Sequence, residues 1–204
     1  MESPKIVIEH LEPKLSTWLL FEYENASKIF KKKVWFTNVK NNDAWKKLKK
    51  LGTVKQQSVL KIFPNEKIVI LDPRAKKTLE PTDLKDGIAV VGGILGEHPA
   101  LGRTKILLTS KVPNAKARNL GREQFTIDGT VYIVKKIIEG KKISAIPIKH
   151  GLILRTKLEP SGVYEVELPY AYPVVAGKPV ISEKLGHYLM KNKNPKIVWR
   201  NRAA

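Results

Sequence analysis

Residues 88–138 read IAVVGGILGEHPALGRTKILLTSKVPNAKARNLGREQFTIDGTVYIVKKII. The stretch opens on an apolar run, Ile88 to Val91, of the near-continuous kind found in parallel strands covered on both faces. The glycine pair Gly92-Gly93 is expected to stop that strand. A glycine-bearing loop follows, carrying Glu97, His98 and Arg103. A second loop, ARNLGREQFTIDGT, leads into Ile127, Val131, Val134 and Ile138, an apolar stripe at helical spacing that Gly140 closes. Two strand-to-loop exits this close together, both bearing glycines and fixed polar residues, read as the walls of a ligand site.

The flanking sequence supports an α/β sheet. Lys5 to Glu9 (KIVIE) and Lys67 to Leu71 (KIVIL) read as buried strands. Leu15, Trp18, Leu19, Tyr23, Ala26 and Phe30 recur at intervals of three and four, which predicts an amphipathic helix capped by Ser16 or Thr17. Lys33 to Val39 predicts a second strand, and Asn41-Asn42-Asp43 a cap for a short helix stopped by Gly52. Val54 to Phe63 reads equally as helix or strand. Ile143 to Ile148 predicts a strand with Pro147 at its edge or end. Val163 to Leu168 and Val180-Ile181 predict extended pieces, and Ser182 starts a last short helix. Strands alternating with helices predict a mostly parallel sheet with helices on both faces. The expected division is one domain over 1–182, with a basic helical segment at 28–52, followed by a helix and basic tail at 183–204.

Composition narrows the function classes. The 204 residues contain 38 Lys+Arg against 19 Asp+Glu, a net charge of +19, and a field of that size draws polyanions. Nine lysines and one acidic residue fall between Lys28 and Lys50, beside Trp35 and Trp45. That stretch reads either as an RNA-contact surface or as a solvated helix face over core tryptophans. There is no cysteine, which excludes thiolate chemistry and cysteine-ligated zinc and points to a cytoplasmic protein. The N-terminus has no signal-peptide h-region. No apolar run approaches the roughly 20 residues that span a bilayer, so no membrane partner is expected. His10, His98, His150 and His187 lack metal-ligand spacing, and no metal is expected.

The glycine loops match neither a Walker A sequence nor a GxGxxG fingerprint. Backbone amides and carbonyls exposed around an apolar strand end suit a flat base such as adenine. Glu97 and His98 beside Arg103 form a candidate acid–base or carboxylate-orienting cluster. Asp128 either caps the helix that starts there or holds a cationic ligand. Asp72 and Arg74 stand just past a strand end, where α/β sheets place function; an Asx turn with a surface arginine is the simpler reading.

The pieces IVIEHLEP, VILDPRA with LEPTD, VVGGILGEHPALGRT, ARNLGREQFTIDGT and ELPYAYPVVAGKPVIS run from Ile6 to Ser182. Together they resemble the SPOUT-type S-adenosylmethionine-dependent methyltransferases, in the branch that includes the yeast ribosomal-protein arginine methyltransferase and its archaeal relatives. The resemblance implies an α/β knot: a mostly parallel sheet, helices on both faces and a C-terminal trefoil knot. It implies S-adenosylmethionine as cofactor, with Gly92, Gly93, Ile94, Leu95 and Gly96 on one wall. Leu120, Gly121, Gln124 and Thr126 form the next wall, and the Leu71-Asp72-Pro73-Arg74 turn forms the third. Relatives often carry threonine where Ile127 and Gly129 stand, so contact by those two side chains is not carried over.

On the same resemblance Arg103 and Arg74 anchor the substrate or the methionine carboxylate. Glu97 or Asp128 orients the acceptor and takes its proton, and Glu9 with His10 faces the same pocket from a strand exit. The expected acceptor is RNA, either rRNA or tRNA. The alternatives are an arginine of a ribosomal protein, held by acidic residues among Glu97, Asp128, Glu9 and Asp72, and a non-catalytic RNA-binding protein on the same fold. A monomer is favoured over a knot-mediated dimer.

Overall fold

The structure, a computed structural model, describes residues 5–97, 101–112, 115–158, 162–191 and 196–199. The chain begins with β1 (Lys5–His10) and α1 (Thr17–Ile29), then β2 (Val34–Thr37), α2 (Asn42–Leu48) and β3 (Thr53–Val54). Next come α3 (Val59–Ile62), β4 (Lys67–Leu71), β5 (Gly87–Gly93), α4 (Arg103–Leu107), β6 (Lys116–Arg118) and α5 (Ile127–Ile138). The last part holds β7 (Ile148–Leu158), β8 (Gly162–Val175), β9 (Lys178–Pro179), α6 (Glu183–Leu189) and β10 (Lys196–Trp199).

The first six strands form one parallel sheet in the order β3-β2-β1-β5-β4-β6. Side chains alternate across its two faces because a strand repeats every second residue. Ile6 and Ile8 of β1 join Val69 and Leu71 of β4 in a core under α1, α2 and α5. Val7, Ile68 and Ile70 face the other way, onto Val59, Phe63 and Leu108. Helices therefore cover both faces, as the apolar runs predict.

In a parallel sheet all strands end on one side. Leu71, Asp72 and Gly92 lie at that side, called the cleft end below. The lead-ins to β2 and β3 lie at the opposite, far end. Helix α1 leaves β1 at the cleft end and runs to the far end, where the chain re-enters the sheet as β2.

Several elements differ from expectation. Gly92 and Gly93 do not stop β5 but pair with Glu9 and His10 of β1. A Cβ at Gly93 would stand 2.0 Å from the Tyr23 hydroxyl and 2.9 Å from the Glu9 carbonyl oxygen, so glycine there serves close packing of helix on sheet. Ile143–Ala145 is a single 3-10 turn, and the strand begins only at Ile148, past Pro147. The ambiguous stretch 54–63 divides into the end of β3 and the short α3.

A second, antiparallel sheet, β10-β7-β8-β9, was not anticipated. The long β7–β8 hairpin carries a register shift between His150 and Leu152. Its core of Leu152, Leu154, Leu168 and Tyr172 packs with Met190 and, at its margin, Trp18 of α1. The basic tail supplies β10, paired with β7 from Lys196 to Trp199.

Candidate functional site

The cleft end of the sheet opens into a hollow enclosing about 880 Å³, counting its solvent-open mouth. Its apolar walls are Leu71, Val91, Leu120 and Ile127, and its polar rim includes Arg74, Arg103, Asn119 and Gln124. Of the residues expected to hold a cofactor, Leu71, Asp72, Gly92, Ile94, Leu95, Gly96, Leu120 and Gln124 line it. Gly93, Gly121 and Thr126 do not. Gly93 packs on Tyr23, and Gly121 turns with a φ of +98°. Thr126 caps α5 by accepting from the Gly129 N–H at 3.2 Å, a bond of a kind that contributes about 1 kcal/mol.

The loop after β5 is held from two sides. Glu12, past the end of β1, accepts the Leu95 N–H at 3.0 Å and both terminal nitrogens of Arg103 at 2.9 and 3.2 Å. This bidentate pairing raises the Arg103 pKa. Glu97 also faces Arg103, at 3.7 Å. From the other side the Tyr170 hydroxyl donates to the Gly96 carbonyl at 2.7 Å. A Cβ at Gly96 would press on Gln124 at 2.6 Å and Tyr170 at 2.8 Å. Arg103 thus brackets the loop against Glu12, a residue the sequence reading passed over. His98 lies outside the described residues.

Asp72 behaves as the simpler reading had it. It accepts the Arg74 N–H at 2.8 Å and the Thr109 hydroxyl at 2.7 Å, so it shapes the turn. Glu9, expected to face the pocket, does not line it. Its carboxylate is buried, accepts from the Thr37 hydroxyl, and takes the Val59 N–H at 3.0 Å. It ties β1 to the start of α3 because a buried carboxylate must be hydrogen-bonded.

A second hollow adjoins the first and shares Ile94, Leu95, Gly96, Phe125 and Ile127 with it. Trp18, Tyr170 and Phe125 give it aromatic walls, and Glu22 gives it a carboxylate. Glu22 was missed by the sequence reading. It accepts the Trp18 indole N–H at 2.6 Å and the Ile127 backbone N–H at 2.9 Å. Burial pushes its pKa from 4.5 up to about 8, and the neighbouring Asp128 adds to the rise. Asp128 lines neither hollow. It is 1% exposed, accepts from Asn25 Nδ2 at 2.8 Å, and has its own pKa raised by burial. Two carboxylates therefore meet in an apolar setting at the start of α5, where the helix dipole favours negative charge.

The arrangement joins an open cleft at the strand ends to a small cage of flat rings and one carboxylate. Aromatic faces and a buried carboxylate together suit a planar cation.

The family model described as protein arginine N-methyltransferase SFM1-like matches residues 5–196. The protein arginine N-methyltransferase SFM1 of Saccharomyces cerevisiae is 29% identical over 205 residues, covering 92% of this chain and 95% of that one. The crystal structure of the yeast arginine methyltransferase SFM1 complexed with SAM superposes with a TM-score of 0.79 at 25% identity, covering 94% of this chain and 92% of that chain. A dual-specific Trm10 from Thermococcus kodakaraensis shares the fold at 17% identity, with a TM-score of 0.56 over 69% of this chain and 95% of its own. The mixed α/β fold, a mostly parallel sheet flanked by helices, matches the SPOUT, or α/β-knot, fold of the SFM1 structures.

Proposed function

The chain belongs to the SFM1-like protein arginine N-methyltransferase family, and from that premise we propose that it methylates the guanidinium of an arginine in a ribosomal protein. It is an S-adenosylmethionine-dependent methyltransferase. The acceptor class is RNA or a ribosomal protein, and the relatives favour the protein alternative over the RNA first expected.

The residues of the cleft fit the cofactor. Leu71, Val91, Leu120 and Ile127 offer apolar surface to a flat purine, and Arg74 and Arg103 place cations on the rim, suited to an amino-acid carboxylate. Bound there, S-adenosylmethionine supplies a methyl group already carried on a positively charged sulfur. The chain is left with positioning the acceptor and taking its proton.

One observation carries the arginine reading: the Glu22 carboxylate stands among Trp18, Phe125 and Tyr170 in the hollow that opens beside the cleft. A guanidinium seats flat against such rings and pairs with one carboxylate. A net charge of +19 opposes an approaching arginine, so a local acidic cage is what admits it. With a pKa of about 8, Glu22 holds its own proton at neutral pH. A cation arriving beside it favours the ionised form and displaces that proton. The carboxylate then holds the guanidinium and accepts the proton the acceptor nitrogen must lose. A base with a pKa near the working pH is suited to that task. Asp128 acts through Glu22, as a second charge that keeps its basicity high.

The test is transfer of labelled methyl groups into a ribosomal fraction, afterwards separated into RNA and protein. Label recovered from a protein band as methylarginine, and lost in Glu22→Gln, is the expected result. Label confined to RNA would overturn the reading.

A further inference from the structure

We propose that the far end of the sheet is an RNA-docking face, separate from the acceptor cage, that anchors the enzyme to the RNA of a ribonucleoprotein substrate. Its role as an anchor rests on the ribosomal-protein reading above; its binding of RNA does not.

The face is built from two helix exits. Lys28 lies in the last turn of α1, and Lys31, Lys32 and Lys33 lead from the helix into β2; Lys49 and Lys50 lead from α2 toward β3. All six are exposed, and among the described residues none takes part in an ion pair. The two exits touch: the Ser27 hydroxyl donates to the Leu51 carbonyl, and the Lys32 N–H to the Ser27 carbonyl at 2.8 Å. The lysines therefore form one patch. The negative ends of two helix dipoles lie beneath it and favour cations there.

Backbone conformation gives an independent sign. Lys31 and Lys32 have φ of +52° and +58°, consecutive left-handed residues at a helix C-terminus. Glycine or asparagine takes such a position at lower cost. Lysine in both places sacrifices stability and keeps two charges at the surface, which is the mark of a functional constraint.

The partner's chemistry follows from what surrounds the lysines. Of the apolar residues beside them, Ile29, Phe30 and Leu51 are half-buried and Val34 and Leu48 buried, and all pack on the core. Among the described residues of this patch no apolar side chain is exposed to enter a lipid surface, as an interfacial helix would require. A field of ammonium groups without an apolar centre matches a phosphodiester backbone.

Position separates this face from catalysis. Trp18 at the start of α1 lines the acceptor cage, whereas Lys28 lies near the end of the same 13-residue helix. At 1.5 Å per residue the two ends stand on the order of 20 Å apart. RNA held at one end leaves the cage at the other open to a protein side chain.

The test is the salt dependence of binding to a fluorescently labelled RNA duplex, with anionic phospholipid vesicles as the comparison. Two variants are used: Lys33, Lys49 and Lys50→Gln together, and Lys31 and Lys32→Gly together. The first is expected to bind RNA at least ten-fold more weakly and to flatten the slope of log K against log salt by about 2 to 3. The second is expected to melt at a higher temperature than the parent while also binding RNA more weakly, which loss of folding cannot imitate. RNA affinity and slope unchanged in both variants would overturn the proposal. So would vesicle binding as tight as RNA binding. A companion assay compares methyl transfer to a ribosomal particle and to a short arginine peptide. The variants are expected to raise KM for the particle and to leave the peptide unchanged. Label appearing in RNA there would sink the arginine reading, while the binding result would still decide the docking face.

Discussion

The carboxylate of Glu22 and the backbone nitrogen of Ile127 meet at 2.9 Å across 105 positions of sequence. The contact fastens α1 to the first residue of α5, and Glu22 lines the hollow beside the cleft. Glu22→Gln keeps the shape and removes the charge. Transfer is expected to fall about 100-fold or more, the range typical of losing a positioned acid–base group, mainly in kcat. Steady-state kinetics with a fixed arginine peptide measures it. A variant within three-fold of the parent would remove Glu22 from the chemistry.

The same residue sets a pH dependence of stability. Its pKa rises from 4.5 to about 8 on folding, so above pH 4.5 the unfolded chain gives up this proton before the folded one does. The folded state then binds more protons, and stability falls as pH rises from about 4.5 to about 8. Chemical denaturation across that window is expected to show the decline in the parent and a flatter profile in Glu22→Gln. At pH 5 the variant is expected to be the less stable, since one of the two N–H donors then faces an amide NH₂.

Glu12 offers a test of cofactor binding at a residue that lines neither hollow. Replacing it with glutamine weakens the bidentate pairing with Arg103 and the hold on the Leu95 amide. Charge-assisted hydrogen bonds contribute roughly 1.5–3 kcal/mol each. The expected result is a rise of about ten-fold or more in the cofactor Kd by calorimetry, with a smaller change in kcat at saturation.

Gly93→Ala tests the packing of α1 on the sheet. The new methyl meets the Tyr23 hydroxyl at 2.0 Å and backbone at 2.9 Å, and the backbone cannot yield within a paired strand. A loss of about 3 kcal/mol is expected, the upper part of the range for overpacking, read from denaturant midpoints at constant m-value.

Much of this was visible in the sequence for local reasons. Lys67–Leu71 and Ile127–Ile138 have the bounds expected from an apolar run and a 3.6-residue stripe. The glycine-bearing loops were legible as cleft walls because their composition is itself the geometry. Glu22 was hidden because the apolar members of its helix face carry the periodic signal and a carboxylate among them does not. Yet it follows Trp18 by four residues and Leu19 by three and precedes Ala26 by four, so an acid sat within the buried stripe. Glu12 and Glu9 were indistinguishable by neighbourhood: their opposite fates depend on which loop each meets, Leu95 for one and Val59 for the other. The second sheet was illegible for a different reason. Its register is set by a bulge at His150/Leu152 and by a partner strand rather than by any local pattern.

Tyr170 bonds to Gly96, and the Ala171 N–H to the Gln124 carbonyl. Both loops of the cleft therefore take their final shape from β8, late in the chain. On the ribosome, a nascent polypeptide that has emerged only through α5 holds every glycine of the cofactor loops and neither of these clasps. Long-range contacts of this kind close slowly and after local ones. Catalytic competence is thus expected to arrive as a late step, after the parallel sheet has formed, and truncation before residue 170 should leave a folded but inactive intermediate.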